Sequence, residues 1–218
     1  MKDSPDVIGK AGLAFFGKIS ASISHELKNA LSIINESAGL LEDLTLMAQK
    51  GAVDPNRLLS TAKRIQQQVG RSDRIIQNMN TFSHSIDRPL LRLDIRDLIA
   101  CLLAVTRRIT DMKGIKVSYA PGDTPILITT APFFLMTLLW HLLEVVIWHA
   151  GDCKTVVCEV TKSGNCVEIR FTCPNMLITD KKEGVQDESQ LALLNALKGT
   201  LSTSTGDLLL SLPEGESC

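Results

Sequence analysis

A ten-residue segment, SerIleSerHisGluLeuLysAsnAlaLeu at 22–31, sets an imidazole, a carboxylate and a carboxamide close together as His25, Glu26 and Asn29. At about 100° per residue, the apolar face of a helix here centres near Ile23, Leu27 and Ile34, and His25 points about 160° or more away from it. The spacing therefore predicts an imidazole in solvent. Asn29 lies one turn further along the same side, Ser22, Ser32 and Glu36 continue the polar stripe, and Glu26 sits on its flank. A solvated imidazole is mostly neutral near pH 7 and offers a nucleophilic ring nitrogen. A carboxylate that holds the ring makes the pair competent for phosphoryl transfer. An ordinary exposed histidine beside an ordinary glutamate gives the same pattern, so the spacing alone leaves both readings open.

The elements that must position these residues fall into two halves. From about Gly12 to Gln49, apolar residues recur at three and four (Phe16, Ile19, Ile23, Leu27, Ala30, Ile34, Leu41, Leu44), which predicts one long amphipathic helix. A break at 50–56 contains Gly51, Asp54 and Pro55, suited to ending one helix and starting the next. A second helix is expected from about Arg57 to Ser85, with Leu58, Ala62, Ile65, Val69, Ile76 and Met79 on one side. Two such helices leave apolar surface over, and a symmetric partner would complete a four-helix bundle. Residues 1–88 are thus expected to form a helical hairpin that dimerises.

Residues 89–218 read as a second domain. A helix is expected from 91 to about Met112, then short strands at 114–119 and 125–129, and a helix from Ala131 to His149. Alternating runs at 155–161 and 166–172 predict a hairpin around SerGlyAsn. A polar stretch at 179–188 leads to a helix at 189–198 and strands at about 200–204 and 207–212. The fold class is α+β: a helical hairpin followed by an α/β sandwich with helices on one face of a mixed sheet.

Composition narrows the partners. The 218 residues carry 23 basic and 24 acidic side chains, a net charge of −1, so no overall field draws the chain to nucleic acid or an acidic membrane. The longest apolar run, Ala131 to Ile147, is interrupted by Thr137, His141 and Glu144 and is short of the roughly 20 residues a membrane span needs. The N-terminus has no secretory pattern, and a cytoplasmic location is expected. The six cysteines (101, 153, 158, 166, 173 and 218) include no CxxC pair, which favours reduced core thiols over a disulfide framework or zinc.

HisGluLeuLysAsnAlaLeu at 25–31 resembles the phosphoacceptor box of sensor histidine kinases, with Ala30 where the family has proline. The resemblance implies a dimerisation and phosphoacceptor hairpin followed by a domain similar to the kinase ATP-binding domain. It also implies that His25 carries the phosphoryl group, that Glu26 is the adjacent acid, and that Asn29 completes a Glu-x-x-Asn spacing similar to the family's phosphatase motif. The second half departs from the pattern. Where the family's N box would stand, the chain reads HisLeuLeuGluValVal (141–146), so that Val145 replaces the magnesium-binding asparagine and His141 the first one. Valine offers no oxygen to a hard cation. ThrCysProAsn follows Phe171 where AspxGlyxGly is expected, and GlnAspGluSerGlnLeuAlaLeu (186–193) stands where a GlyxGly turn should precede the helix. None of the 14 glycines forms a GlyxGly pair, although phosphate cradles expose backbone NH groups through such residues. Gly12, Gly17 and Lys18 have Walker-loop spacing, but no strand precedes them and Ile19 stands where Ser or Thr is needed.

Together these features predict a histidine-containing phosphotransferase similar to the dimeric phosphotransferases with a degenerate ATP domain. It would pass phosphoryl groups between His25 and the aspartates of response-regulator receiver domains. No cofactor is expected on this chain, and magnesium would belong to the receiver. A divergent kinase and phosphatase that still binds ATP, and a non-enzymatic dimeric regulator, are the alternatives. His84 is expected to be a solvated side chain, and Trp140, Trp148 and His149 to be core and rim. Lys28, Lys63, Arg64, Arg71 and Arg74 give the bundle a basic surface that an acidic receiver could use for orientation.

Overall fold

A computed structural model describes residues 4–48, 51, 53–174 and 187–215. Lys50 and Ala52 of the expected break, most of the polar stretch at 179–188 and Cys218 lie outside the described residues. Two long helices open the chain, α1 (Ser4–Ala48) and α2 (Pro55–His84). Helix α1 begins eight residues earlier than its apolar period suggests. Pro55 sits in the first turn of α2, where its missing NH costs nothing, and Asp54 accepts from Asn56 N at 2.9 Å.

The chain divides into two compact units, Ser20–Asn80 and a second that joins Met1–Ile19 to Thr81–Cys218. This differs from the boundary expected after residue 88. Within Ser20–Asn80 the two helices run antiparallel, with Ile23, Ala30 and Leu44 buried along their seam. The seam also buries Ser22, Ser37 and Thr61. Thr61 bonds back to Arg57 O at 2.8 Å, whereas the Ser22 and Ser37 hydroxyls have no partner among the described residues.

The larger unit is built on a five-stranded mixed sheet, with β2 (Lys116–Tyr119), β4 (Thr155–Ser163), β5 (Cys166–Thr172), β6 (Thr200–Ser204) and β7 (Asp207–Pro213) in the order β2-β4-β5-β7-β6. Only β2 and β4 are parallel. Alternate residues of β4, β5 and β7 are buried: Val156 and Cys158, then Val167, Ile169 and Phe171, then Leu208, Leu210 and Leu212. One sheet face is thus apolar, and α3 (Ile95–Met112), α4 (Pro132–His149) and α5 (Glu188–Ala196) supply the rest of this core. Helix α4 is the one described helix long and apolar enough by composition to cross a membrane, and most of it is buried in this core.

Residues Leu91–Asp94 are not the first turn of a helix, as expected, but a strand, β1, paired antiparallel with β3 (Leu127–Thr130). Asp94 ends it and caps α3, accepting from Arg96 N at 3.1 Å and from Ile126 N at 3.2 Å. Bidentate bonding from Arg96 to the same carboxylate fixes the corner.

An aromatic cluster explains why the first turns of α1 belong to this unit. The Phe15 ring meets Phe82 edge-on at 5.3 Å and lies nearly parallel to Trp140 at 6.1 Å, and Phe133 is 6.0 Å from Phe82. Lys18 pairs with Glu144 and places its Nζ 4.9 Å from the centre of the Trp140 ring. Gly12 allows the close approach: a Cβ there would lie 2.8 Å from the Phe133 ring.

Candidate functional site

The segment 22–31 lies within α1, and His25 and Asn29 are both exposed, one turn apart on the same side. Lys28, Ser32 and Glu36 are exposed near them. His25 has no hydrogen-bond partner among the described residues. Ser22, expected on this stripe, is instead buried in the seam. Glu26 also departs from expectation. Its side chain is only 17% exposed, and its carboxylate accepts from Arg71 Nη2 of α2 at 3.5 Å rather than from the His25 ring. The structure thus brings His25 and Asn29 together and ties Glu26 to Arg71, a residue the sequence placed only on a basic outer surface. What remains at His25 is a solvated nucleophilic ring flanked by a carboxamide that can donate to a bound oxyanion.

In the larger unit, Val145 is buried at 8% exposure and presents no oxygen donor. His141 is half-buried on α4, and its Nδ1 has no partner among the described residues. Burial pushes its pKa down, with Lys18 acting the same way and Asp187 and Glu144 opposing, so the neutral ring is favoured. It lines a cleft of about 390 Å³ with Asp6, Lys10, Asp187, Glu188 and Ser189. Several polar groups there are already engaged: Lys10 with Asp6 at 2.8 Å, and Asp187 with Gln190 N at 2.7 Å as the cap of α5. Trp140 is core as expected, whereas Trp148 is 81% exposed and stands in solvent rather than at the rim of the core.

The sequence reading missed one pair. His84 Nδ1 lies 2.7 Å from Asp87 Oδ2, so the imidazole taken for a plain solvated side chain has a carboxylate on it. The signal was available in HisSerIleAsp at 84–87, where a spacing of three at a helix end returns the second side chain to the first.

No family model matches the chain, and no curated protein matches it. Among solved structures it is similar to the histidine kinase AdeS of Acinetobacter baumannii, at 12% identity and TM-score 0.47, over 87% of this chain and 98% of that one. It is similar to the ATP-binding domain of PrrB from Mycobacterium tuberculosis at 20% identity and TM-score 0.46, over 60% of this chain and all of that one. The catalytic domain of the histidine kinase ThkA matches at 8% identity and TM-score 0.48, again over 60% of this chain and all of that one. At such identities and scores, function has to rest on the residues of this chain alone.

Proposed function

We propose that this chain is a histidine-containing phosphotransfer protein of a two-component relay, with His25 as the phosphoryl carrier. The supporting observation is the ring itself: exposed in mid-helix, free of hydrogen bonds among the described residues, with Asn29 one turn along the same side. A receiver's aspartyl phosphate would be attacked by a neutral His25 nitrogen. The N–P bond forms as the acyl P–O bond breaks, and the receiver carboxylate leaves with its electron pair. Asn29 would steady a phosphoryl oxygen, and the receiver would bring the magnesium. Reversal toward a second receiver completes the relay. Lys28, Lys63, Arg64 and Arg74, all exposed, suit an acidic partner.

The active unit in this reading is a homodimer. Within Ser20–Asn80, the apolar side chains of Leu31, Leu59, Val69 and Ile76 are exposed at 61, 54, 46 and 45%. Val69 and Ile76 are seven apart, on one helix face, as a bundle seam requires. A second copy would cover them. Light scattering after size exclusion should report a dimer that V69D with I76D converts to monomer; a wild-type monomer at micromolar concentration overturns this part.

One observation favours a second reading, a divergent kinase: the open cleft beside His141 at the start of α5. Labelled ATP with magnesium separates the two. Under the relay reading the purified chain stays unlabelled with ATP, whereas a phosphorylated receiver labels wild type and not His25→Ala. Labelling of His25 from ATP supports the kinase. Failure of every receiver in a broad panel leaves the dimeric regulator.

A further inference from the structure

We infer that His84 is a second nucleophilic imidazole, oriented by Asp87, that takes phosphoryl groups at Nε2 from small phosphoryl donors. It is independent of His25 and of the relay reading.

The backbone builds the pair. Helix α2 ends at His84, and Ser85 N, Ile86 N and Asp87 N bond back to Phe82 O, Ser83 O and His84 O at 3.2, 3.4 and 3.2 Å. This tight turn returns Asp87 to the ring it follows. Ser85 Oγ adds a 2.6 Å bond to Phe82 O, and Phe82 is wholly buried against Phe15, Phe16 and Phe133. The turn is therefore anchored to a packed core although both side chains of the pair reach water, at 76 and 62% exposure.

The chemistry follows from the 2.7 Å contact between Nδ1 and the Asp87 carboxylate. A carboxylate only accepts, so Nδ1 carries the proton and, in the neutral ring, Nε2 carries the lone pair. Nε2 has no partner among the described residues. This arrangement of reactive nitrogen, ring and orienting carboxylate is the nucleophile logic that His25 lacks, because Arg71 holds Glu26. With phosphoramidate as donor, the Nε2 lone pair forms the N–P bond while the donor's own P–N bond breaks. The donor reacts as its zwitterion, whose nitrogen carries three protons, so that nitrogen takes the P–N electron pair and leaves as neutral ammonia. The positive charge that develops on the ring faces Asp87.

The test uses the full chain and potassium phosphoramidate at pH 8, with peptide mapping under alkaline conditions and phosphorus NMR to tell Nε2 from Nδ1 phosphohistidine. Wild type and His25→Ala should carry phosphate on His84 at Nε2, faster than the same histidine in urea-unfolded chain. His84→Gln should lose that label, and Asp87→Asn should acquire it several-fold more slowly with an unchanged far-UV spectrum. Labelling no faster than in the unfolded chain, an Nδ1 product, or indifference to Asp87→Asn overturns the inference. Receiver-dependent labelling of His25 should be untouched in His84→Gln, so the two proposals fail separately.

Discussion

Arg71 of α2 reaches the Glu26 carboxylate of α1 across 3.5 Å, and this pair ties the two helices at the turn that carries His25. The guanidinium is half exposed, so solvent screens the attraction even though Glu26 is largely covered. A double-mutant cycle with Glu26→Gln and Arg71→Ala, read by urea denaturation, should give a coupling below about 1 kcal/mol that shrinks in high salt. A coupling several times larger would mean that the pair is the main tie between the helices, rather than the apolar seam of Ile23, Ala30 and Leu44.

Acid should weaken the fold through Asp94. Hydrogen bonds from Arg96 hold its carboxyl below the ordinary 3.8, helped by the Arg96 and Ile126 backbone NH groups and opposed by burial. The folded protein thus prefers the ionised form. That contribution is complete above the unfolded value of 3.8 and is lost as the pH falls through the lower folded value. Urea midpoints measured from pH 6 to pH 2 should fall less steeply at the acid end in Asp94→Asn than in wild type, and an identical acid limb would contradict the assignment.

How far the sequence could be read depended on how local each signal was. The β4–β5 hairpin follows from strict alternation and from Gly164, whose φ of +60° few other residues adopt, and the strands fall at the expected residues with β4 two longer. The exposure of His25 is similarly local, a matter of helical phase. Leu91–Asp94 failed because Leu91, Leu93 and Ile95 fit a helix start as well as a strand, and the choice belongs to β3, some thirty-five residues away. The phase of α1 differs from expectation at Ser22, which is buried, because the helix's apolar arc is wide and α2 selects only part of it. Phe15 and Phe82, distant in sequence, share one aromatic cluster, a long-range contact that no local pattern announces.

Two glycines of α1 should respond oppositely to alanine. Gly17 is exposed with nothing within 4 Å of an added Cβ, so Gly17→Ala gains helix propensity and should stabilise by about 0.5–1 kcal/mol. At Gly12 the same Cβ would lie 2.8 Å from the Phe133 ring. Overpacking of a buried contact costs about 1–3 kcal/mol, which cancels or outweighs the propensity gain. Thermal midpoints should rise for Gly17→Ala and stay level or fall for Gly12→Ala. A matching rise in both would show that α1 and Phe133 do not pack closely.

The cysteines should separate by reactivity. Burial pushes the Cys101 thiol up to about 11 and, with Glu159 nearby, the Cys158 thiol up to about 12. The thiolate is the reactive form, so at pH 8 both are almost wholly protonated as well as shielded. Cys153 and Cys166 are only half-buried, and Cys153 donates to Thr155 O at 3.0 Å, a bond that leaves its sulfur near the surface. Brief iodoacetamide treatment of the native chain, followed by peptide mapping, should modify Cys153 and Cys166 first. Cys101 and Cys158 should react at a rate that tracks unfolding, rising sharply once urea passes its midpoint. Native labelling of Cys158 as fast as that of Cys166 would mean that β4 does not turn Cys158 into the core between Val156 and Val160, and the register of the whole sheet would have to shift by one residue.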